Sequence, residues 1–248
     1  MTEESPPLST PKASAHRSSE ANTLARAIVE GTTRDASERV CTVTKENVPT
    51  PSGRARVEVR RHNLWHRATY VVLVRAKKNG RSTVKTGFWR PNPCTTQILV
   101  QLRSDIKDYC PGCYDPAPGG VVGFGESTEL NARREIEEEM GLDANAVDLQ
   151  RAFTFQYEDE RVRVWGDLFY GFVEWSVNIA SDMRLQEEEV QAVEWMTMQE
   201  MEERSIATRG CDWLPDGLLG ARLFVQYATD LAEGRGTVGN INNYVLRE

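Results

Sequence analysis

The rhythm of apolar and polar positions changes several times along the chain, and each change predicts an element. Ala68 to Val74 (ATYVVLV) is an unbroken β-branched and aromatic run, the pattern of a strand buried on both faces. Gln97 to Leu102 (QILVQL) is a second such run and is expected to pair with it. The residues between them, 76–96, outnumber an ordinary hairpin loop and read as a loop insertion. Upstream, VCTVT (40–44) is β-branched, PTPSG (49–53) signals a turn, and Arg54 to Val59 alternates as a further strand would. Strands are also expected near 150–157, 161–173 and 190–197.

Two helices stand out. One is expected to start at Ser127 or Thr128, either able to cap it, and to stop at Gly141. Along it Ala132, Ile136 and Met140 recur four apart as a narrow apolar stripe. A last amphipathic helix follows PDG (215–217), with Leu219, Leu223, Tyr227 and Leu231 four apart. Strands, one helix, more strands and then C-terminal helices predict an α+β fold, a mixed sheet with helices on its faces. Residues 1–37, rich in Ser, Thr, Pro and Ala, read as a disordered N-terminal tail. One domain is expected over 38–235, with 236–248 as a C-terminal tail.

Composition narrows the classes. The chain has 248 residues, 40% hydrophobic and 27% charged, enough for a sizeable core. Its net charge of −7 argues against a generally basic nucleic-acid surface and leaves room for a local basic pocket. No apolar run approaches the ~18 residues of a membrane-spanning helix, so no membrane partner is expected. MTEESPPLSTPK has neither a secretory core nor a transit-peptide composition, which makes the cytoplasm the expected compartment. Cysteines 41, 94, 110, 113 and 211 are odd in number and scattered, against a disulfide framework. Cys110-Pro-Gly-Cys113 has dithiol spacing. A reactive thiolate wants a helix N-terminus or nearby cations, however, and the YDPAPGG that follows cannot soon start a helix. Zinc would need two more ligands, so the reading is a turn. His62 and His66 read as structural hydrogen-bonding residues.

The chemistry concentrates on the first helix. Glu135, Glu138 and Glu139 share an arc of about 100° beside the apolar stripe. Like charges at these spacings cost roughly 0.2–0.5 kcal/mol per pair. A hard divalent cation, which takes carboxylate oxygens, reverses that sign. The whole stretch GVVGFGESTELNARREIEEEMGL fits the pattern Gly-x5-Glu-x7-Arg-Glu-U-x-Glu-Glu-x-Gly-U, with U apolar. Gly120, Glu126, Arg134, Glu135, Ile136, Glu138, Glu139, Gly141 and Leu142 fill every specified position. Each fixed identity has a background frequency of about one in fifteen, so coincidence is negligible.

That pattern is the Nudix box, and the chain is identified as a member of the Nudix hydrolase superfamily. The resemblance implies the Nudix fold, an α/β/α sandwich with a mixed sheet and a catalytic loop–helix–loop. It implies hydrolysis of a diphosphate linkage, in a nucleoside diphosphate joined to a group X or a related organic diphosphate, with Mg²⁺ or Mn²⁺. Carried over, Glu135, Glu138 and Glu139 are the implied metal ligands, with the Gly119 carbonyl a further one. Arg134 and Glu126 match an ion pair that orients the helix. Gly120 and its neighbours let backbone approach metal and phosphate, and Gly141 ends the helix.

Further segments, HNLWHRATYVVLV (62–74), SDIKDYCPGCYDPAPGGVVGFGES (104–127), RVWGDLFYG (163–171) and QEEEVQAVEW (186–195), resemble a bacterial hydrolase group close to type I isopentenyl diphosphate isomerases. Isomerase activity is therefore the alternative, with a non-catalytic nucleotide-metabolite-binding module as a third reading. The isomerase cysteine falls on Gly119, its neighbouring metal histidine on Val121, and its catalytic glutamate near Asp167. The hydrolytic box is intact, which favours a hydrolase and disfavours the module. Glu189 matches where some members place a fourth carboxylate that serves as base, with Glu187 and Glu188 adjoining it and Asp159, Glu160 and Asp167 next in line. Arg67, Arg103 and Lys107 are the cations expected near substrate phosphates. The expected partner is a small-molecule diphosphate, with a homodimer as the candidate assembly.

Overall fold

The structure, a computed structural model, describes residues 38–75, 94–145, 147–210, 212–235 and 243–246. The expected N-terminal tail and residues 76–93 of the expected insertion lie outside them. The chain forms β1 (Arg39–Val40), β2 (Arg54–Ala55), α1 (Arg56–Arg61), β3 (His66–Arg75), β4 (Gln97–Arg103), β5 (Tyr114–Asp115) and α2 (Thr128–Met140). There follow β6 (Asp148–Glu158), β7 (Arg163–Phe172), α3 (Ile179–Asp182), β8 (Val190–Thr197), α4 (Met198–Ala207) and α5 (Pro215–Ala232).

The strand expected over Arg54–Val59 is a correction: only Arg54 and Ala55 pair with β1, and a short helix begins at Arg56. Arg and Glu favour helix, and one turn suffices to bury Val59, the residue of α1 that reaches the core. The turn also sets Arg56 and Arg60, four apart, on one face. The last helix starts at Pro215, earlier than expected, because proline suits the first helical position, whose N–H has no intrahelical partner. Of the segment read as a C-terminal tail, Tyr244 returns to the core. Its N–H donates to the Thr154 carbonyl (2.8 Å), and its ring packs 4.7 Å from that of Phe153.

The main sheet is mixed. β7 runs parallel to β3 and antiparallel to β6, while β4 is antiparallel to β3, β5 and β8. β3 and β4 pair only at Val74–Ile98 and Arg75–Gln97, then separate. Edges that part must find other partners for their amides and carbonyls. A wedge from Tyr114 to Val122 supplies them. β5 pairs with β4, the carbonyls of Pro118 and Gly120 accept from the amides of Val71 and Thr69 (both 2.8 Å), and the Val122 amide donates to Arg67 (2.9 Å). This fork opens the site.

Both faces of the sheet are covered. On one, Ala132, Ile136 and Met140 of α2 pack against Val71, Leu73, Leu99 and Phe169. On the other, Leu218, Phe224 and Tyr227 of α5 pack against Val72, Val100, Phe153 and Phe155. Each such large side chain, fully buried, contributes roughly 1.5–3 kcal/mol. The fold is α+β, an α/β/α sandwich. Among the described residues no helix is long and apolar enough to cross a membrane.

Candidate active site

Packing fixes which way α2 presents its carboxylates. Ser127 caps the helix, accepting from the Leu130 amide (3.2 Å), and Gly141 ends it in the left-handed region at φ 62°, its N–H bonded to Glu137. With the apolar stripe against the sheet, Glu135 and Glu139 face the wedge and Glu138 stands at the rim. Glu139 is 4% exposed, and its Oε2 has no hydrogen-bond partner among the described residues. Gly120 faces Glu135 so closely that a Cβ there would lie 2.1 Å from Oε1, so any larger residue would have to displace that carboxylate. A Cβ on Gly119 would lie 2.0 Å from the Thr69 carbonyl oxygen.

Arg134 ties this arrangement together. Its guanidinium lies 3.2 Å from Glu126, 3.0 Å from Glu135 and 2.8 Å from Glu138. Glu126 in turn accepts from the Gly123 amide and the Asn131 side chain (both 3.0 Å), so the glycine loop is bound to the helix. Burial, then the charges of Glu139 and Glu138, push the Glu135 carboxyl up to about 8, against the pull of Arg134 and Lys107. Burial raises Glu139 as well, opposed by Lys107, Arg103 and a hydrogen bond from Gln101.

These groups line a cavity of about 220 Å³ whose far wall is basic and aromatic. Lys107 contacts Glu189, and burial followed by the Arg103 charge lowers its ammonium to about 8. Glu189 sits on a turn closed by its own amide on the Gln186 carbonyl (2.8 Å), and its carbonyl accepts from Ser104 (2.9 Å). Arg103 is buried, donating to the Tyr109 carbonyl (2.9 Å) and lying 3.8 Å from Asp115, whose carboxyl burial raises to about 6. His66 is buried and held down to about 4 by that burial, with Nδ1 2.9 Å from the Leu64 carbonyl.

The cavity brings together Gly119, Gly120, Arg134, Glu135, Glu138, Glu139, Arg103, Lys107 and Glu189. Glu187 and Glu188 are exposed and do not line it. Nor do the other candidate bases. Asp159 closes a turn by accepting from the Arg161 and Val162 amides, Glu160 is exposed, and Asp167 is bound by Arg151 and Thr154. Arg67 is a correction: it does not line the cavity, because Asn47 holds its guanidinium at 3.0 and 3.2 Å.

Sequence reading missed Arg56, Arg60, Tyr70, Tyr109 and Asp216, which also line the cavity. The two arginines would have been visible had RVEVRR been read as a helix. Asp216, which accepts from Tyr70 (2.5 Å) and Tyr109 (3.2 Å), joins positions over a hundred residues apart, and nothing local announces it.

Among the described residues no three carboxylate, imidazole or thiol groups stand close enough together to hold a metal ion. Arg134 pairs with Glu135 and Glu138, and the Lys107 charge acts on Glu139. The donor chemistry nonetheless fits a hard divalent cation, since the set is all oxygen and one buried Glu139 oxygen is unpartnered.

A family model described as the NUDIX domain matches residues 83–216. The Nudix hydrolase YfcD of Salmonella typhi is 36% identical over 172 residues, covering 69% of this chain and 76% of that protein. YfcD of Shigella flexneri is 35% identical over 173 residues, covering 69% and 78%. In fold, the chain resembles the crystal structure of DR0079 from Deinococcus radiodurans, with a TM-score of 0.53 at 17% identity over 77% of this chain and 97% of that one. A filled box, capped and seated where the sheet forks, together with these relatives, shows that the chain belongs to the Nudix hydrolases.

Proposed function

We propose that this Nudix hydrolase cleaves the diphosphate linkage of a nucleoside diphosphate–X compound or a related organic diphosphate, dependent on Mg²⁺ or Mn²⁺. One observation carries the reading: the box carboxylates, Glu189 and two cations, the buried Arg103 and the half-buried Lys107, line a single cavity. Glu135, Glu138, Glu139 and the Gly119 carbonyl would hold the cation, which when bound neutralises phosphate charge and acidifies water. Arg103 and Lys107 bind the phosphate oxygens from the opposite wall. Glu189 accepts the proton of the attacking water, held in place by Lys107. Arg134 fixes the spacing of Glu135 and Glu138 on the helix.

Isomerase chemistry finds no support here. It would need a thiol at position 119, where the approach of Thr69 leaves no room for a Cβ. Deuterium incorporation into isopentenyl diphosphate during turnover would refute that exclusion. The activity itself is tested by a Mg²⁺ screen of nucleoside diphosphate derivatives, nucleoside triphosphates and isoprenoid diphosphates, with products identified by mass. Two phosphate-bearing fragments from at least one compound support the proposal. Binding without cleavage across the panel would point to a sensor module instead.

A further inference from the structure

The Cys110-Pro-Gly-Cys113 turn lies just outside the machinery above. Gly112 has φ 67°, the value a type II turn needs at its third residue. The ends of such a turn stand under about 7 Å apart, within the range that a disulfide spans. The two thiols influence each other, the one at Cys110 held down and the one at Cys113 pushed up.

We propose that Cys110 and Cys113 are a dithiol that a peroxide oxidises to a disulfide across this turn. A reactive thiolate wants cations nearby, and the fold sets two of them against Tyr109, the residue before Cys110. The Arg161 guanidinium lies 5.3 Å from the Tyr109 ring centre, and Arg103 donates to the Tyr109 carbonyl at 2.9 Å. Its interaction with Cys113 holds the Cys110 thiol below its ordinary value despite burial, with Arg161 and Arg103 adding to it. Burial pushes Cys41 the other way. Cys110 is only 7% exposed, which favours an oxidant as small as hydrogen peroxide over a bulky disulfide. Cys113 is half-buried and faces the same turn.

The chemistry balances. The Cys110 thiolate attacks one peroxide oxygen, the O–O bond breaks, and hydroxide leaves a sulfenic acid. The Cys113 sulfur then gives up its proton and attacks the Cys110 sulfur. The S–S bond forms, the S–O bond breaks, and water departs. Two thiols are oxidised and one peroxide is reduced to two waters. The turn also adjoins the cavity, since the Arg103 amide donates to the Cys113 carbonyl (3.0 Å), so the disulfide forms within the loop that holds a phosphate-facing cation.

The test uses the full chain with stoichiometric hydrogen peroxide, alkylation of remaining thiols, digestion and mass mapping. A peptide carrying both Cys110 and Cys113, unalkylated and lighter by two hydrogen atoms, is the expected product, and dithiothreitol should restore both thiols. In Cys113→Ser, dimedone should trap a sulfenic acid at Cys110 at least about tenfold faster than at Cys41. If that variant does not fold, the wild-type map decides alone. Both turn thiols alkylated while Cys41 or Cys94 is oxidised would overturn the proposal.

Discussion

Replacing Glu139 by Gln keeps the shape of α2 and removes one buried negative charge. Glu135 and Glu139 are one helical turn apart, about 5–6 Å between Cβ atoms. At an effective dielectric of about 20, two unit charges at that spacing repel by on the order of 3 kcal/mol. Burial adds to the cost of the Glu139 charge, while Lys107, Arg103 and Gln101 favour it and offset part of the repulsion, which leaves a net gain on the order of 1–2 kcal/mol for the variant. The sign depends on pH. Glu135 is raised from 4.5 to about 8, so between those values the folded protein keeps a proton that the unfolded chain has lost. Wild-type stability from this group therefore falls as pH rises through that window. The advantage of Glu139→Gln should be near zero at pH 4.5 and full above pH 8. At about 2–4 °C per kcal/mol for a domain of this size, calorimetry without divalent cation should show Tm higher by about 2–8 °C at pH 8.5. Turnover with Mg²⁺ should fall by about 10²–10⁴, the several kcal/mol that a misheld cation forfeits. A lower Tm at pH 8.5, or turnover at the wild-type level, would refute the reasoning.

Other outcomes follow from the same geometry. Glu189→Gln should lower kcat by roughly 10²–10⁴ with little change in KM, while Glu187→Gln and Glu188→Gln stay near wild type; equal small effects in steady-state assays would place the base elsewhere. Gly120→Ala should displace the Glu135 carboxylate and weaken Mn²⁺ binding by about 10–100-fold in a folded protein, measurable by calorimetric titration. Unchanged affinity there would mean that Glu135 is not a ligand. Deleting residues 1–37 should leave turnover intact, since that segment is too poor in apolar residues to add to the core; loss of folding or activity would show that it packs on the domain.

What the sequence disclosed followed how local each signal was. The ends of α2 were legible because a cap and a left-handed glycine act within one turn. The buried strand β3 was legible because seven consecutive apolar or β-branched residues fit few other structures. RVEVRR was misread because its alternation fits a strand and a one-turn helix alike, and contact of Val59 with the core decides between them. The place of Arg67 was not legible, because Asn47, twenty residues away, draws its side chain off while Ala68 beside it lines the cavity. The pair of Tyr70 and Asp216 depends on α5 packing across the sheet, which no local pattern specifies. The surroundings of Cys110 were likewise invisible, because Arg161 comes from another hairpin to lie over the ring of its neighbour Tyr109.

The central claim is that the box carboxylates hold a divalent cation for hydrolysis at phosphorus. Turnover of the best screened diphosphate in ¹⁸O-labelled water, followed by ³¹P NMR and mass spectrometry, tests it most directly. The account predicts one ¹⁸O atom in one phosphate-bearing product per turnover with Mg²⁺, and no product with excess chelator or in Glu138→Gln. Label-free product, or turnover undiminished by the chelator, would contradict it.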